Sequence, residues 1–389
     1  MRVILSKSER LWKLPQSALG EMRFTEKRLE ARNVELIDLQ SFQPRLADKI
    51  VKAIKPADLY EQPASENLLK ELKEKILACH HSLKQTELDP EKEILITPGI
   101  RNTAALLALG LLNPGDSAAY PDPGMQYFRA AISLADGSPR KYSLMESNDY
   151  ILNIASLSTA AHKKTKVLFL NYPHNPTGVS VDYYFYRELL KALRFANILT
   201  IADCAYIHPG NPDISVPLQV RNANRMVIEM HSFSTSFGVA GLGFAVGHKD
   251  AISILSSLQA VQGFYPLESQ VRLALSGLDQ AEGIFNDNME LFRINREYLS
   301  DGLRSLEWQV KVGRLVPFIW ARPPFRSTSI AFSRRLFAKA GIRVAPGSDF
   351  GEGGEGWMRL SLWCDETILR EAIQRLSEHS KIWQRKYRP

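Results

Sequence analysis

Short apolar runs that alternate with helical patterns are the feature that most constrains the fold of this chain. Such runs read as strands, and three of them lie at residues 93–97, 167–170 and 198–202. The segments 66–85, 103–112 and 184–196 read as helices. Nearly continuous apolar strands suit a parallel sheet that is buried on both faces. The pattern predicts a three-layer α/β domain with ligands at the carboxyl ends of its strands.

Length and helix pattern indicate a second, smaller domain. The chain has 389 residues, of which 45% are hydrophobic, enough to bury a substantial core. A long helical stretch at 278–306 predicts a link from the α/β core to a smaller α+β domain. We expect an N-terminal arm and part of the small domain in 1–45, the large domain in 46–280 and the small C-terminal domain in 281–389.

Composition narrows the class of partner. The 49 Lys+Arg against 42 Asp+Glu give a net charge of +7, but the cations are scattered, and the basic tail 381–388 is typical of a solvated helix end. No basic face alternates with aromatics, so nucleic acid is not an expected partner. The three cysteines are far apart, which indicates a reducing compartment. Without a signal-like start, an apolar run of about 20 residues or a metal-ligand spacing, we expect a cytoplasmic, soluble protein with no membrane contact and no metal.

Several short sequence blocks carry a family resemblance. Residues 171–178 read Asn-Tyr-Pro-His-Asn-Pro-Thr-Gly, and the order of blocks around them is similar to that of class I/II aminotransferases, which are fold-type-I enzymes that use pyridoxal 5′-phosphate (PLP). The other blocks lie at 8–15, 60–70, 113–116, 121–124, 203–206, 346–351 and 358–361. The resemblance covers nearly the whole chain. It implies a three-layer α/β/α large domain with a smaller α+β domain.

The resemblance also implies roles around the cofactor ring. PLP acts as an electron sink, and a carboxylate facing its pyridine nitrogen strengthens that sink. Asp203, at the end of an apolar strand, matches this carboxylate, while Asn175 and Tyr206 match residues that bond the ring hydroxyl. The alternatives are a strand-end turn for Asp203, a turn residue before proline for Asn175 and a half-buried packing residue for Tyr206.

Two further positions concern the substrate and a second subunit. Arg359 resembles the arginine that grips the α-carboxylate of the substrate, for which a planar fork is suited and lysine is not. The alternative is a surface arginine. By resemblance, Tyr60 reaches the phosphate in the site of the neighbouring subunit, which implies a homodimer. The alternative for Tyr60 is a core aromatic.

The departures from the family pattern cluster on the cofactor. Thr235 stands where the family has the lysine that bonds PLP covalently, and a hydroxyl neither forms that bond nor moves a proton as an amine does. Gly243 stands where an arginine for the phosphate is expected. Met125 replaces a stacking aromatic, with Tyr127 or Phe128 as compensating candidates, and Ile100 replaces a small residue.

Few groups remain to hold a phosphate. Ser232 and Ser234 are candidate donors, and Arg101 is a candidate anchor because it opens a helix whose N-terminus favours anions. We expect His231 and Cys204 to be structural residues.

Two functional hypotheses follow. The first is an aminotransferase-family enzyme without the lysine, which binds PLP or pyridoxamine phosphate non-covalently, or acts on another anionic ligand such as an amino acid or keto acid. The retained set Asp203, Asn175, Tyr206 and Arg359 favours it. The second is a non-catalytic relative, either a ligand sensor or a structural partner of an active paralogue. The joint loss at Thr235, Gly243 and Met125 favours that one.

Overall fold

A seven-stranded sheet and a four-stranded sheet organise the protein. The structure, a computed structural model, describes residues 8–14, 35–41, 46, 48–53, 61–84, 86–158, 164–324 and 327–380. Its strands in chain order are β1 (Ile37–Asp38), β2 (Ile94–Thr97), β3 (Ser117–Asp122), β4 (Ser138–Ser143), β5 (Thr165–Asn171), β6 (Leu199–Asp203), β7 (Val227–Ser232), β8 (Gly243–Gly247), β9 (Gln309–Val312), β10 (Phe318–Arg322), β11 (Ile342–Arg343), β12 (Ala345–Pro346) and β13 (Met358–Ser361).

Helices cover the sheets and connect their strands. In the described residues the α-helices are Glu9–Trp12, Asp48–Ala53, Glu66–Cys79, Ile100–Leu111, Tyr127–Leu134, Tyr183–Ala196, Phe233–Phe237, Lys249–Gln262, Glu268–Asp279, Ala281–Ser305, Ser329–Ala340 and Glu366–Glu378. None of them is long and apolar enough to cross a membrane.

The large sheet has the order β2-β8-β7-β6-β5-β3-β4. Neighbouring strands run parallel from β7 to β4, whereas β8 is antiparallel to both β2 and β7. The predicted α/β class is confirmed, and the prediction of a parallel sheet holds except at β8. The difference has a local cause: after β7 the chain returns through only a short helix and a turn, while parallel neighbours need a longer crossover.

Both faces of the large sheet are buried. Along β5, Leu168 and Leu170 point into one apolar cluster, and Val167 and Phe169 point into another. Side chains alternate between the faces of a strand, so a strand between two helical layers is apolar at every position. This arrangement explains the continuous apolar run at 167–170 and confirms the three-layer prediction.

The helix Tyr183–Ala196 shows how the sequence sets one of these elements. Asp182 caps its first turn by accepting a hydrogen bond from the backbone N–H of Phe185 at 2.8 Å. Asn197 ends it in the left-handed conformation, with φ of 52°. The buried residues lie at helical spacing and form one face, namely Tyr186, Leu189, Leu190 and Leu193.

A second apolar core lies in the C-terminal part of the chain. It gathers residues from Phe292 to Leu376, together with Ile37 and Leu39 from the N-terminal region. The four-stranded sheet β12-β13-β10-β9 and the two-stranded sheet β1-β11 belong to this part. The predicted long helix is present as Ala281–Ser305. The domain limits at 45/46 and 280/281 stay a prediction.

Candidate functional site

The candidate site begins at the carboxyl ends of β5 and β6. The strand register places Asn171 beside Asp203, and the side-chain amide of Asn171 donates to the main-chain oxygen of Asp203 at 3.0 Å. The Asp203 side chain is only 3% exposed, and its Oδ1 accepts the N–H of Ala205 at 2.8 Å. Burial raises the pKa of this carboxyl, because the charged form loses its hydration.

Tyr127 is the hydrogen-bond partner of the second carboxylate oxygen of Asp203. Its hydroxyl donates to Asp203 Oδ2. Burial and then the Asp203 charge raise the pKa of Tyr127 well above its ordinary value, so the phenol keeps its proton and acts as the donor. The sequence indicated Tyr127 only as a stand-in for a stacking aromatic. Nothing in the sequence showed that its hydroxyl would reach Asp203, because that contact joins a helix start to a strand 76 residues away.

Arg359 lies in β13 and is buried, with 9% of its surface exposed. Its Nη1 donates to Asn175 Oδ1 at 2.9 Å, and its Nη2 donates to the main-chain oxygen of Gln40 at 3.1 Å. The rings of Phe318 and Phe350 lie 5.3 Å and 4.9 Å from the guanidinium. Burial lowers the pKa of Arg359. The alternative that Arg359 is a surface residue is therefore wrong.

Asn175 connects Arg359 to Tyr206. While its Oδ1 accepts from Arg359, its Nδ2 donates to the Tyr206 hydroxyl at 2.8 Å. These two bonds determine which way the amide faces. Tyr206 is buried against the ring of Phe318 at a centroid distance of 5.4 Å, and burial raises its pKa. The structure thus brings together Asn175, Tyr206 and Arg359, which are more than 180 residues apart at the extremes.

The segment at 232–235 forms a capped turn. Ser232 caps the helix Phe233–Phe237: its Oγ accepts the N–H of Thr235 at 3.1 Å and the hydroxyl of Thr235 at 3.2 Å. The hydroxyl of Ser234 donates to the main-chain oxygen of Val239 at 2.8 Å. The Ser234 hydroxyl is thus directed into the turn, while Ser232 ends β7 and Thr235 lies in the short helix. The expected phosphate contacts of Ser232 and Ser234 stay predictions.

A cavity of about 30 Å³ lies beside Thr235 and is lined by Tyr206, Phe285 and Trp363, among others.

The expected phosphate position at Gly243 has no room for a side chain. A Cβ atom built on Gly243 would lie 2.3 Å from the main-chain oxygen of His231, because β8 passes close to β7 at this point. An arginine at this position would need the main chain to move, and the correspondence of Gly243 to the family's phosphate-binding arginine stays a prediction.

The remaining residues that the sequence analysis connected with the cofactor are Arg101, Met125 and Tyr60. Arg101 is exposed in the first turn of the helix Ile100–Leu111, and its charge opposes the burial-driven rise in the pKa of Asp203 and Tyr206. Arg101 thus lies within electrostatic range of both groups, and its role as a phosphate anchor stays a prediction. Met125 packs towards the cluster around Trp320. Tyr60 lies outside the described residues, and its role stays a prediction.

Two buried histidines, His231 and His208, and the buried Cys204 make structural contacts around the candidate site. His231 bonds to Glu229 at 2.9 Å and stacks on Phe244 with ring centroids 4.6 Å apart. Cys204 is also buried. The prediction that His231 and Cys204 are structural agrees with this packing. His208 Nε2 donates to the main-chain oxygen of Ser236 at 3.0 Å, and burial lowers the pKa of His208 to about 4.

One group within the described ranges has the composition of a metal site. Ligand atoms of Cys204, Glu229 and His231 lie within 4.8 Å of one another. Glu229 already accepts hydrogen bonds from the backbone N–H of Leu218 at 2.7 Å and from His231. These bonds account for the burial of the carboxylate without an ion. The expectation that the protein holds no metal stays a prediction.

Fold and site together define a class. A mixed seven-stranded α/β sheet, a strand-end aspartate and a buried arginine held by an Asn-Pro-Thr-Gly segment are the features of a fold-type-I aminotransferase-like protein. The chain belongs to the family aminotransferase class I and II, whose model matches residues 48–376. Members of this family act on amino and keto acids, and membership implies PLP as the cofactor.

Individual relatives agree with this assignment. The LL-diaminopimelate aminotransferase of Halothermothrix orenii is 30% identical over 385 residues, which cover 96% of this chain and 98% of that protein. The enzyme of the same name from Syntrophobacter fumaroxidans is 28% identical over 386 residues, covering 96% and 99%. The structure of aspartate aminotransferase from Thermotoga maritima superposes with a TM-score of 0.85 at 19% identity, covering 96% of this chain and all of that one, and so supports the fold alone.

The residues present do not fit PLP in the manner that the family resemblance implies. No amine is available at Thr235 for a covalent bond. Position 243 cannot carry a phosphate-binding side chain without a main-chain shift. Both oxygens of Asp203 are engaged, one by Ala205 and one by Tyr127.

Proposed function

We propose that this chain is an aminotransferase-family protein that binds an amino acid or a related small carboxylate at Arg359, and that any PLP or pyridoxamine phosphate it takes is held without a covalent bond. The hydrogen-bonded chain of Arg359, Asn175 and Tyr206 is the observation that carries this proposal. Ordinary lysine-based transamination is not part of it, because Thr235 has no amine.

The environment of Arg359 suits carboxylate recognition. The bonds to Asn175 and Gln40 hold the guanidinium plane in one orientation, so little conformational entropy is lost when a ligand binds. Burial between aromatic rings lowers the local dielectric and strengthens a charge-assisted hydrogen bond. A planar guanidinium can offer two parallel N–H groups to a carboxylate.

The relatives suggest which carboxylate to test first. Two of them are LL-diaminopimelate aminotransferases that match nearly the whole chain. We take LL-diaminopimelate as the first ligand, with other amino acids and keto acids after it. Assembly as a homodimer, a cytoplasmic location and the absence of nucleic-acid and membrane partners belong to the same proposal, and they rest on the family resemblance and the composition.

A second candidate function is favoured by one contact. The bond from Tyr127 to Asp203 satisfies the strand-end carboxylate with a group of the chain itself. Such a site suits a non-catalytic relative, either a ligand sensor or a structural partner of an active paralogue. A sensor binds the carboxylate without turnover, whereas an enzyme converts it.

Calorimetric titration of the purified protein tests the proposal. We expect saturable binding of LL-diaminopimelate or another amino acid, and none of cadaverine, a diamine that lacks the carboxylates. Titration with PLP, followed by borohydride reduction and mass analysis, is expected to show no stoichiometric adduct at any single lysine, only the scattered labelling that an aldehyde gives on exposed lysines. Binding of no amino acid or keto acid at millimolar concentration would contradict the proposal, and turnover with bound ligand would separate the enzyme from the sensor.

A further inference from the structure

We infer that Tyr127 determines the ligand specificity of this site, because its hydroxyl takes the place at Asp203 that a pyridine ring nitrogen would need. The site then selects small amino or keto acids over pyridine-ring phosphates. The inference deepens the proposed function and rests on it for the identity of the preferred ligand. The position of Tyr127 does not depend on that function.

The first step concerns Asp203. A buried carboxylate must have its oxygens satisfied by hydrogen-bond donors, and here the chain supplies both donors. Oδ1 accepts the N–H of Ala205, which belongs to the turn directly after β6. Oδ2 accepts the hydroxyl of Tyr127, which is the only side chain among the described residues that donates to Asp203. A ligand that needs Asp203 must share or displace this hydroxyl.

The second step concerns how Tyr127 is held. It is the first residue of the helix Tyr127–Leu134, and its ring lies against Phe128 with centroids 4.4 Å apart. Phe128 is fully buried and packs on Phe169 of β5 at 5.0 Å. The ring of Tyr127 is therefore attached to the core of the sheet, so its hydroxyl is presented to Asp203 by a rigid element and not by a loop.

The third step compares two kinds of ligand. A pyridinium nitrogen that binds Asp203 Oδ2 has to displace the Tyr127 hydroxyl or share this oxygen with it, and displacement would cost the hydroxyl its acceptor. An amino acid or keto acid that binds Arg359 makes no demand on Asp203. Tyr127 thus disfavours the first ligand and is neutral towards the second. A hydrogen bond to a charged group corresponds to roughly 10- to 100-fold in an equilibrium constant.

The test compares pyridoxamine phosphate with LL-diaminopimelate in matched variants. Pyridoxamine phosphate is the probe because it has the ring and phosphate but no aldehyde to react with surface lysines. We expect the Tyr127→Phe variant to bind pyridoxamine phosphate with a Kd about 10- to 100-fold lower than that of the wild-type chain. The Kd of the variant for LL-diaminopimelate is expected to change less than about threefold. Tyr142→Phe is the control: it removes a buried tyrosine hydroxyl that donates to the main-chain oxygen of Phe169 at 2.8 Å and not to Asp203.

Two further variants make the result specific. In Tyr127→Phe/Asp203→Asn the gain in pyridoxamine phosphate affinity is expected to disappear, because no anion remains to hold a ring N–H. If Tyr127→Phe does not fold, Tyr127→Val removes the same hydroxyl together with the ring. An unchanged or weakened affinity for pyridoxamine phosphate in the variant that folds overturns the inference, because Tyr127 would then support the ring or have no effect on it. If no variant binds amino or keto acids but the gain is present, the proposed function fails and the role of Tyr127 stands.

Discussion

The two halves of the candidate site differ in where their polar groups are directed. In the carboxylate half, Arg359, Asn175 and Tyr206 form one hydrogen-bonded chain that crosses from β13 to the strand ends of the large sheet. In the cofactor half, Asp203, Ser234 and Thr235 bond to neighbouring groups of the chain itself. Under the proposed function, this difference means that the carboxylate site is kept while the covalent cofactor site is lost.

The physical reason is that the two halves have separate supports. Arg359 needs Asn175 and the Gln40 carbonyl because a buried guanidinium is costly without partners. The turn around Thr235 is stabilised by its own caps and by His208, which bonds to Ser236. Changing the second set does not remove a partner from the first.

Restoring an amine is the strongest test of the cofactor half. We expect Thr235→Lys combined with Tyr127→Phe to give a borohydride-reducible adduct with PLP at position 235, close to one per chain, because the amine and the free Asp203 then act together. Mass analysis of the digested protein measures it. The matched control is Ser234→Lys with Tyr127→Phe, since position 234 is directed into the turn. Equal amounts of PLP adduct at positions 234 and 235 would mean that the cofactor half does not preserve the geometry of a cofactor site.

Replacing the guanidinium of Arg359 by an amine tests the carboxylate half. Arg359→Lys keeps the charge but loses the fork, so we expect binding of the amino acid to weaken by about 1.5–3 kcal/mol, roughly 10- to 100-fold in Kd. Calorimetry measures the change. Arg322→Lys is the control, because Arg322 lies on neighbouring β10 over the ring of Trp357, 4.2 Å away. Equal affinities in the wild type and in Arg359→Lys would remove the basis for comparing the two halves.

Acidification tests whether the turn at Thr235 is a structural element. Burial lowers the pKa of His208 to about 4, against about 6.5 in an unfolded chain. Between pH 6.5 and 4 the unfolded state binds the additional proton, so this contribution to stability is full above pH 6.5 and is lost as pH falls. From pH 6.5 to 5 the loss is about 2 kcal/mol.

We expect His208→Gln to flatten the fall in unfolding free energy over this pH window, as measured by urea titrations at several pH values. His248→Gln, at the start of the helix Lys249–Gln262, serves as the reference variant. A slope that is the same with and without His208 would show that this histidine does not stay neutral in the folded protein.

The smallest expected effect concerns Ser234. Its hydroxyl donates to Val239 within the turn, so Ser234→Ala should lower stability by about 1 kcal/mol and leave ligand affinity unchanged. Thermal unfolding and calorimetry measure the two quantities. A loss of affinity for pyridoxamine phosphate in Ser234→Ala would return Ser234 to the phosphate role that the sequence indicated.

Much of the site was predictable because it follows from strand ends and residue type. Asp203 ends an apolar run, and the carboxyl ends of parallel strands meet at one edge, so its place beside Asn171 follows from the pattern. The family blocks indicated Asn175 and Tyr206 at the ring hydroxyl and Arg359 at the substrate carboxylate. That two hydrogen bonds join these three residues was not part of the prediction. The reversal of β8 was not predictable from apolar periodicity, which does not report strand direction.

The sequence by itself determined the α/β class, the family and the absence of an amine at Thr235, because periodicity, ordered motifs and residue chemistry are local properties of the chain. Only the tertiary structure decided that Tyr127 reaches Asp203, that Gln40 holds Arg359 and that Gly243 has no room for a side chain. Each of these facts depends on the distance between segments far apart in the chain. Such distances are set by the packing of the core, to which many residues contribute at once.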